Sequence, residues 1–259
     1  VNLTVLTDEF GRPLPKDAPI PLYTAPHFKD VHNAKHSVAI IGAGPAGLFA
    51  ALTLLEQGIK PIIFERGKEV SERKKDIATL NRNQGLNTES NYCFGEGGAG
   101  TFSDGKLYSR SKKRGNMQRV MELFHHFGAA DTVLYEAHAH IGSDKLPSII
   151  RAMRECIIQH GGEIHFNSCV DAVLLRELMR DKKSLLGTIL AIGHSAHDTY
   201  QMLLDEGVLL ENKGFAMGVR AEHPQTLINR LMYHDPSEEL IRLIGNASYS
   251  LVTQVQGRG

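Results

Sequence analysis

Ser103, Asp104 and Lys106 place a hydroxyl, a carboxylate and an amine within four positions, directly after a glycine-rich run in "NYCFGEGGAGTFSDGKLYSR", residues 91–110. An ammonium can stabilise negative charge that develops on a ligand, a carboxylate can relay a proton, and a hydroxyl can hydrogen-bond a ligand oxygen. Asp104 and Lys106 are the candidates for chemistry here. A plain ion pair that pins the loop would use the same residues, because structural ion pairs mimic functional ones. Gly95, Gly97, Gly98 and Gly100 come first, bracketed by Phe94, Phe102, Leu107 and Tyr108. The aromatics argue for an ordered loop and against a flexible linker. A backbone this bare admits a large flat or phosphorylated ligand close to the main chain. Gly97, Gly98, Ala99 and Gly100 are expected to line it, with Thr101 and Ser103 bonding its oxygens.

Other reactive side chains carry less. Cys93 adjoins the loop, but a single thiol with no resolving partner reads as a small buried residue. His138 and His140 share a strand face, and His194 and His197 lie in "GHSAH", yet neither pair has a ligand spacing that implies a metal. No metal is expected. "RSKKR", residues 110–114, reads as a solvated loop, or as a dock for a nicotinamide phosphate or an acidic substrate. Arg220 in "FAMGVRAEH" could face the ligand from the substrate side, or pair with Glu222.

The element that must hold the ligand reads "SVAIIGAGPAGLFAALTLLEQGIKPIIFERG", residues 37–67. A short apolar run passes into Gly42, Gly44 and Gly47. Leu48, Ala51, Leu52 and Leu55 then recur at helical spacing, Gly58 stops the helix, and "PIIF" is a second buried strand. This is a β-α-β unit with G-x-G-x-x-G at its turn. Gly42 makes the tight turn, Gly44 admits a pyrophosphate, and Gly47 lets helix and strand pack closely; Pro45 and Ala46 open the helix whose amides meet the phosphates. Glu65 ends the second strand at about the 20-residue distance expected of the acid that binds a ribose hydroxyl. It argues against a 2′-phosphate there, and Arg66 beside it leaves that argument open. The pattern predicts a dinucleotide ligand, the competing reading being a bare glycine-rich turn at a strand–helix junction.

The chain of 259 residues is 42% hydrophobic and 22% charged, with 29 basic and 29 acidic residues, so it can bury a core but has no global field for nucleic acid or anionic membrane. Three cysteines without a C-x-x-C indicate neither a disulfide framework nor a zinc knuckle and fit a cytoplasmic setting. No apolar run approaches the roughly 18 residues of a spanning helix. Half of the ten prolines fall before residue 27, so residues 1–36 are expected to be an extended segment or linker. "VNLTVLT" alternates like a strand in need of a partner, and a preceding portion is expected.

A nicotinamide dehydrogenase would continue at once through helices and strands, whereas here residues 68–140 intervene and contain the glycine loop. That is room to cover a larger ring system. "GAGPAGLFAALTLLEQGIKPIIFERG", "SNYCFGEGGAGTFSDGKLYSR", "HAHIGSDKLPSIIRAMR", "ILAIGHSAHDTYQMLLDEGV" and "KGFAMGVRAEHPQ" together resemble the family of uncharacterised FAD-dependent dehydrogenases, distant relatives of the glutathione-reductase-type FAD fold. The resemblance spans about residues 37–259. It implies FAD, a cytoplasmic setting, and usually a small preceding domain and a following segment with cysteines. It also places main-chain atoms near Val170 against the adenine, and Gly193 with Ser195 under the cofactor.

The expected fold is α/β: a Rossmann-like FAD-binding domain with a parallel sheet, residues 37–195 with an insertion at 68–140, and a smaller α+β substrate domain, 196–259. "SDKLPSIIRAMRECIIQHGG" reads as a helix capped by Ser143 or Asp144 with Pro147 in its first turn, and "EIHFNSCV" and "TILAIG" as strands. Only residues 171–187 separate those strands, short for the β-meander that the resemblance implies. The second domain is expected to hold a helix at 199–206, a strand near 215–220, and helices in "QTLINRLM" and "SEELIRLI". The reading is an FAD-dependent oxidoreductase acting on a small molecule, with NAD(P)H a candidate reductant. A nicotinamide-only dehydrogenase and a non-catalytic flavin-binding module of a larger complex are the alternatives. Substrate and oligomeric state are not legible.

Overall fold

All five residues of "SVAII" are buried, as a parallel strand covered on both faces must be. The computed structural model describes residues 23–102, 115–135, 141–142, 144–181, 185–212, 214 and 222–249. Four parallel strands, β1 (Ser37–Ile41), β2 (Lys60–Phe64), β3 (Glu163–His165) and β4 (Leu185–Leu190), form one sheet in the order β3-β2-β1-β4. The helices are α1 (Pro45–Gln57), α2 (Val70–Asn81), α3 (Met117–His126), α4 (Leu146–Gln159), α5 (Ala172–Arg180), α6 (His197–Asp205), α7 (Gln225–Tyr233) and α8 (Glu238–Ile244). This is the expected α/β class with a parallel sheet, consistent with a Rossmann-like domain.

Neighbouring residues of a strand serve opposite faces. Ile40 and Ile63 belong to a core with Leu48, Leu52 and Leu55 of α1 and Ile149, Met153 and Ile157 of α4. Ile41 belongs to another, with Leu175 of α5 and Leu203 of α6, against which Phe64 and Tyr200 pack. Helices therefore cover both faces. Pro45 sits in the first turn of α1, where its missing N–H costs nothing, and Gly58 ends the helix at φ 76° with its N–H on the Leu54 and Leu55 carbonyls.

Several local expectations shift. No meander joins β3 to β4 among the described residues; α5 occupies 172–180, capped by Asp171 through the Leu174 N–H. Residues 68–140 hold α2 and α3 as well as the glycine loop. Lys145, not Ser143 or Asp144, occupies the N-cap of α4, without a side-chain bond, and Pro147 stands in the first turn as expected. The chain divides into compact units 1–208 and 209–259, so α6 lies in the first. In the second unit, buried Asn229 of α7 accepts from Gln225 and from the Ala247 N–H and donates to Asn246. The strand expected near 215–220 lies outside the described residues. Among the described residues, no helix is long and apolar enough to cross a membrane.

Candidate functional site

The sheet order reverses at β1: the chain passes from β1 to β2 and β3 on one side, then adds β4 on the other. Ligands of open α/β sheets bind outside the carboxyl ends of the strands at such a switch point. A cleft of about 480 Å³ lies there, in the range of small-molecule sites. It is bordered by the segments that leave β1 (Gly42, Gly44, Pro45, Ala46), β2 (Glu65, Arg66), β3 (Val170) and β4 (Gly193, Ser195), and by Gly98, Ala99 and Gly100. Twelve of the residues expected from sequence thus meet at one cleft. Ser103, Asp104, Lys106 and Arg220 lie outside the described residues, as do His138, His140 and residues 110–114.

The glycines of the first turn divide their work as their neighbours dictate. A Cβ on Gly47 would run into the Gly42 carbonyl oxygen, and one on Gly42, at φ 107°, into that of Ala191. These two close the helix onto β1 and β1 onto the end of β4. A Cβ on Gly44 would find only the Gly98 Cα, 3.8 Å away. That space is open cleft. Gly44 is also the N-cap of α1 and has no side chain to occupy the first amides. The positive end of the helix dipole and the Ala46 and Gly47 N–H groups are left for an anion.

Glu65 is 5% exposed and heavily engaged. Its Oε1 accepts from the Gly67 N–H (2.8 Å) and the Gly95 N–H (3.0 Å), and its Oε2 from the Ala43 N–H (2.7 Å). A carboxylate has about four acceptor positions. One remains, on Oε2, for a ribose hydroxyl, and three backbone bonds hold it in place. Arg66 donates from Nε and Nη2 to Glu89 (2.8 and 3.2 Å) and from Nη1 and Nη2 to Asp198 in the first turn of α6 (3.0 and 2.8 Å), while its guanidinium lies 4.2 Å over the Phe94 ring. The hydrogen bond to Asp198 holds the Arg66 pKa above its ordinary value. Every guanidinium nitrogen of Arg66 is thus bonded to a carboxylate, which argues against its receiving a 2′-phosphate.

Of the glycine loop, residues 91–102 are described, and two of its expected ligand contacts face elsewhere. Gly97, at φ 86°, donates its N–H to the Ala43 carbonyl (2.8 Å), and a Cβ there would strike Thr101 Oγ1 and Ile150. It is a packing glycine. Thr101 is fully buried beneath it and does not border the cleft. Cys93, expected to be buried, is exposed and borders the cleft, as does Cys169. The Tyr200 hydroxyl of α6 donates to the Gly193 carbonyl (2.8 Å) and fixes the turn after β4. Asn91 Oδ1 accepts from the Cys93 and Phe94 N–H groups (2.8 and 3.4 Å), a local turn bond that its type could have announced. Among the described residues, no group of three or more His, Cys, Asp or Glu side chains could hold a metal ion.

Two ionisable residues that the sequence did not single out are buried at this loop, one within it and one from α2. Arg73 of α2 and Glu96 are both 0% exposed. Glu96 Oε2 accepts from the Val70 N–H (2.7 Å) and from Arg154 Nη1 (3.1 Å), while Oε1 is buried with no hydrogen-bond partner. Burial pushes the Glu96 pKa up from 4.5 to about 7. A carboxyl whose folded pKa is raised binds more protons in the folded state, so the stability it contributes is full below about pH 4.5 and is lost as the pH rises to about 7. Over that window the loss is on the order of 3 kcal/mol. Glu96→Gln should flatten this fall, making the variant the more stable protein at pH 8. Denaturant midpoints at pH 5 and pH 8 measure it, and equal slopes in the two proteins would refute it.

Residues 35–90 match a family described as "FAD binding domain", and residues 214–259 match one described as "FAD-dependent protein, C-terminal domain-like". The first match covers β1, α1, β2 and α2, including Gly44, Glu65 and Arg73. An uncharacterized protein of Clostridium beijerinckii is 44% identical over 201 residues, which is 75% of this chain and 38% of that protein. A dual trans-enoyl reductase/FAD-dependent monooxygenase tazHJ of Aspergillus terreus is 60% identical over 35 residues, 14% of this chain and 5% of that protein. The chain therefore spans less than two fifths of the length of the Clostridium relative.

Proposed function

We propose that this chain, whose family matches support an FAD-dependent oxidoreductase, holds FAD across the carboxyl edge of the sheet and passes electrons between a reductant and a small-molecule substrate. The observation that carries the reading is the open, uncapped N-terminus of α1 at Gly44, beside a carboxylate with one free acceptor position. Ala46 and Gly47 would bind the pyrophosphate through their N–H groups, and Glu65 a ribose hydroxyl. Val170, Gly193 and Ser195 border the same cleft from the β3 and β4 ends. When bound, the flavin supplies two-electron chemistry; this chain supplies position and charge. The Arg66 environment supports a dinucleotide without a 2′-phosphate in this cleft, so NAD(P)H would act as a visiting reductant. The three free cysteines accord with a cytoplasmic setting.

Within this reading Lys106 would supply a positive charge to the bound flavin and Asp104 would relay a proton. Lys106→Met should leave FAD bound and lower its midpoint potential by about 1–3 kcal/mol, roughly 20–60 mV for a two-electron couple. An unchanged potential would return Lys106 to a pairing role with Asp104. The experiment that tests the oxidoreductase reading is anaerobic addition of NADH or NADPH to the FAD-loaded protein. Bleaching by either supports it. Bound flavin that neither these nor a panel of small-molecule donors can reduce would favour the flavin-binding module.

A further inference from the structure

Among the described residues Arg73 is the largest fully buried side chain, and its hydrogen-bond partners there are all main-chain carbonyls. Nε donates to Asn91 O (2.9 Å), Nη2 to Tyr92 O (3.1 Å), and Nη1 to Glu96 O (2.7 Å), Gly98 O (2.8 Å) and, more weakly, Gly95 O (3.3 Å). A guanidinium has five N–H donors in a rigid fork, and here they organise one side of the loop from residue 91 to residue 98. The loop is built around it: Gly95, at φ 113°, has no Cβ because one would overlap the Arg73 side chain. The Phe102 ring lies over the same guanidinium, 5.3 Å away.

Two consequences follow for the cleft. In a trans peptide the N–H of one residue points opposite to the carbonyl before it. Gly97 shows this directly: the Glu96 carbonyl turns in to Arg73, and the Gly97 N–H turns out to Ala43. By the same geometry, the Gly98 carbonyl held by Arg73 sends the Ala99 N–H to the opposite side, where Gly98, Ala99 and Gly100 border the cleft. Gly98 is also the residue that faces Gly44 at the α1 N-terminus. The second consequence concerns charge. Burial lowers the Arg73 pKa to about 10, so the group stays a cation at neutral pH. Glu65 and Glu96 act on it through space, but its hydrogen bonds go to neutral carbonyls. A buried cation with no bonded anion is costly, and a bound anion nearby offsets that cost.

We propose that Arg73 is a positioning residue of the anion-binding wall: it winds the loop 91–98, aims the Ala99 N–H into the cleft opposite the α1 amides, and lends its buried charge to the pyrophosphate of the bound dinucleotide. The inference rests on the proposed FAD site and adds to it a residue that does not touch the ligand. Its signature is selectivity for the phosphates. Arg73→Lys keeps a charge but loses the fork, so it frees most of the five carbonyls.

The test measures binding of FAD, ADP and adenosine to the full chain and to Arg73→Lys, with Arg73→Gln as the second variant. The expected result is a loss on the order of tenfold or more for FAD and ADP in Arg73→Lys, about 1.4 kcal/mol, a larger loss in Arg73→Gln, and no change for adenosine. Equal losses for all three ligands, or none, in a folded variant would overturn the inference. A parent chain that binds neither FAD nor ADP would instead overturn the dinucleotide reading on which it rests. If neither variant folds, hydrogen exchange in the parent chain decides. ADP must then slow exchange of the amides of residues 91–100 while adenosine does not, and exchange indifferent to ADP would overturn the inference.

Discussion

Gly44→Val should abolish FAD retention while leaving a folded protein. The backbone at Gly44, φ −74° and ψ −175°, is one that any residue adopts, and the nearest atom to an added Cβ is the Gly98 Cα at 3.8 Å. The protein itself has room for a side chain. A pyrophosphate bound as proposed would not, because in a G-x-G-x-x-G turn it approaches the main chain most closely over the second glycine. Exchanging a glycine N-cap for valine costs about 1 kcal/mol in helix stability. The affinity loss should be roughly 100-fold or more, about 2.7 kcal/mol. Isothermal titration with FAD alongside a thermal melt reads both quantities. Full flavin occupancy in a folded Gly44→Val protein would remove the pyrophosphate from this position.

Gly47→Ala, by contrast, should fail in the fold. Its methyl would overlap the Gly42 carbonyl oxygen, with the Gly42 carbonyl carbon at 3.1 Å and Ile40 Cγ2 at 3.3 Å. Gly42 cannot retreat, since its own space ends at the Ala191 carbonyl. Relief requires moving α1 off β1, where Leu48, Leu52 and Leu55 pack against Ile40 and Ile63. Overpacking of a close backbone contact, with no flexible side chain to yield, should cost about 3–5 kcal/mol. That is a large fraction of the roughly 5–15 kcal/mol that holds a typical domain folded. The expected outcome is a melting temperature well below that of the parent, or aggregation on expression. A Gly47→Ala protein as stable as the parent would show that the helix sits farther from β1 than described.

These two substitutions mark what was legible in the sequence. The unit from β1 to Glu65 could be read because each of its signals is local: an apolar run, glycines at a turn, helical spacing, a glycine stop. The roles of Gly97 and Arg73 were not, because they depend on neighbours far along the chain. Gly97 has the same composition and setting as Gly98, and only Ile150 of α4 and Thr101 below it make one a packing residue and the other a cleft residue. Arg73 sits in the polar string "VSERKKDIATLN", where nothing distinguishes it from Lys74 or Lys75 until the carbonyls of residues 91–98 arrive. Glu96 is hidden for the same reason. Arg66, expected beside the cofactor, borders the cleft, but the carboxylates that occupy it come from Glu89 and from Asp198 of α6, far along the chain. The helix α5, with apolar spacing in "AVLLRELMR", stands in the segment too short for the meander that the resemblance implies.

The most direct test of the account is equilibrium titration of the flavin-free full chain with FAD, followed by the visible spectrum and by competition. The account predicts saturation at one FAD per chain, with a shifted flavin spectrum. ADP should displace the flavin, and ADP carrying a 2′-phosphate should fail to, because the Glu65 carboxylate would repel it and Arg66 is already committed to Glu89 and Asp198. No spectral change on titration, or tight binding of a nicotinamide dinucleotide that FAD cannot displace, would contradict it.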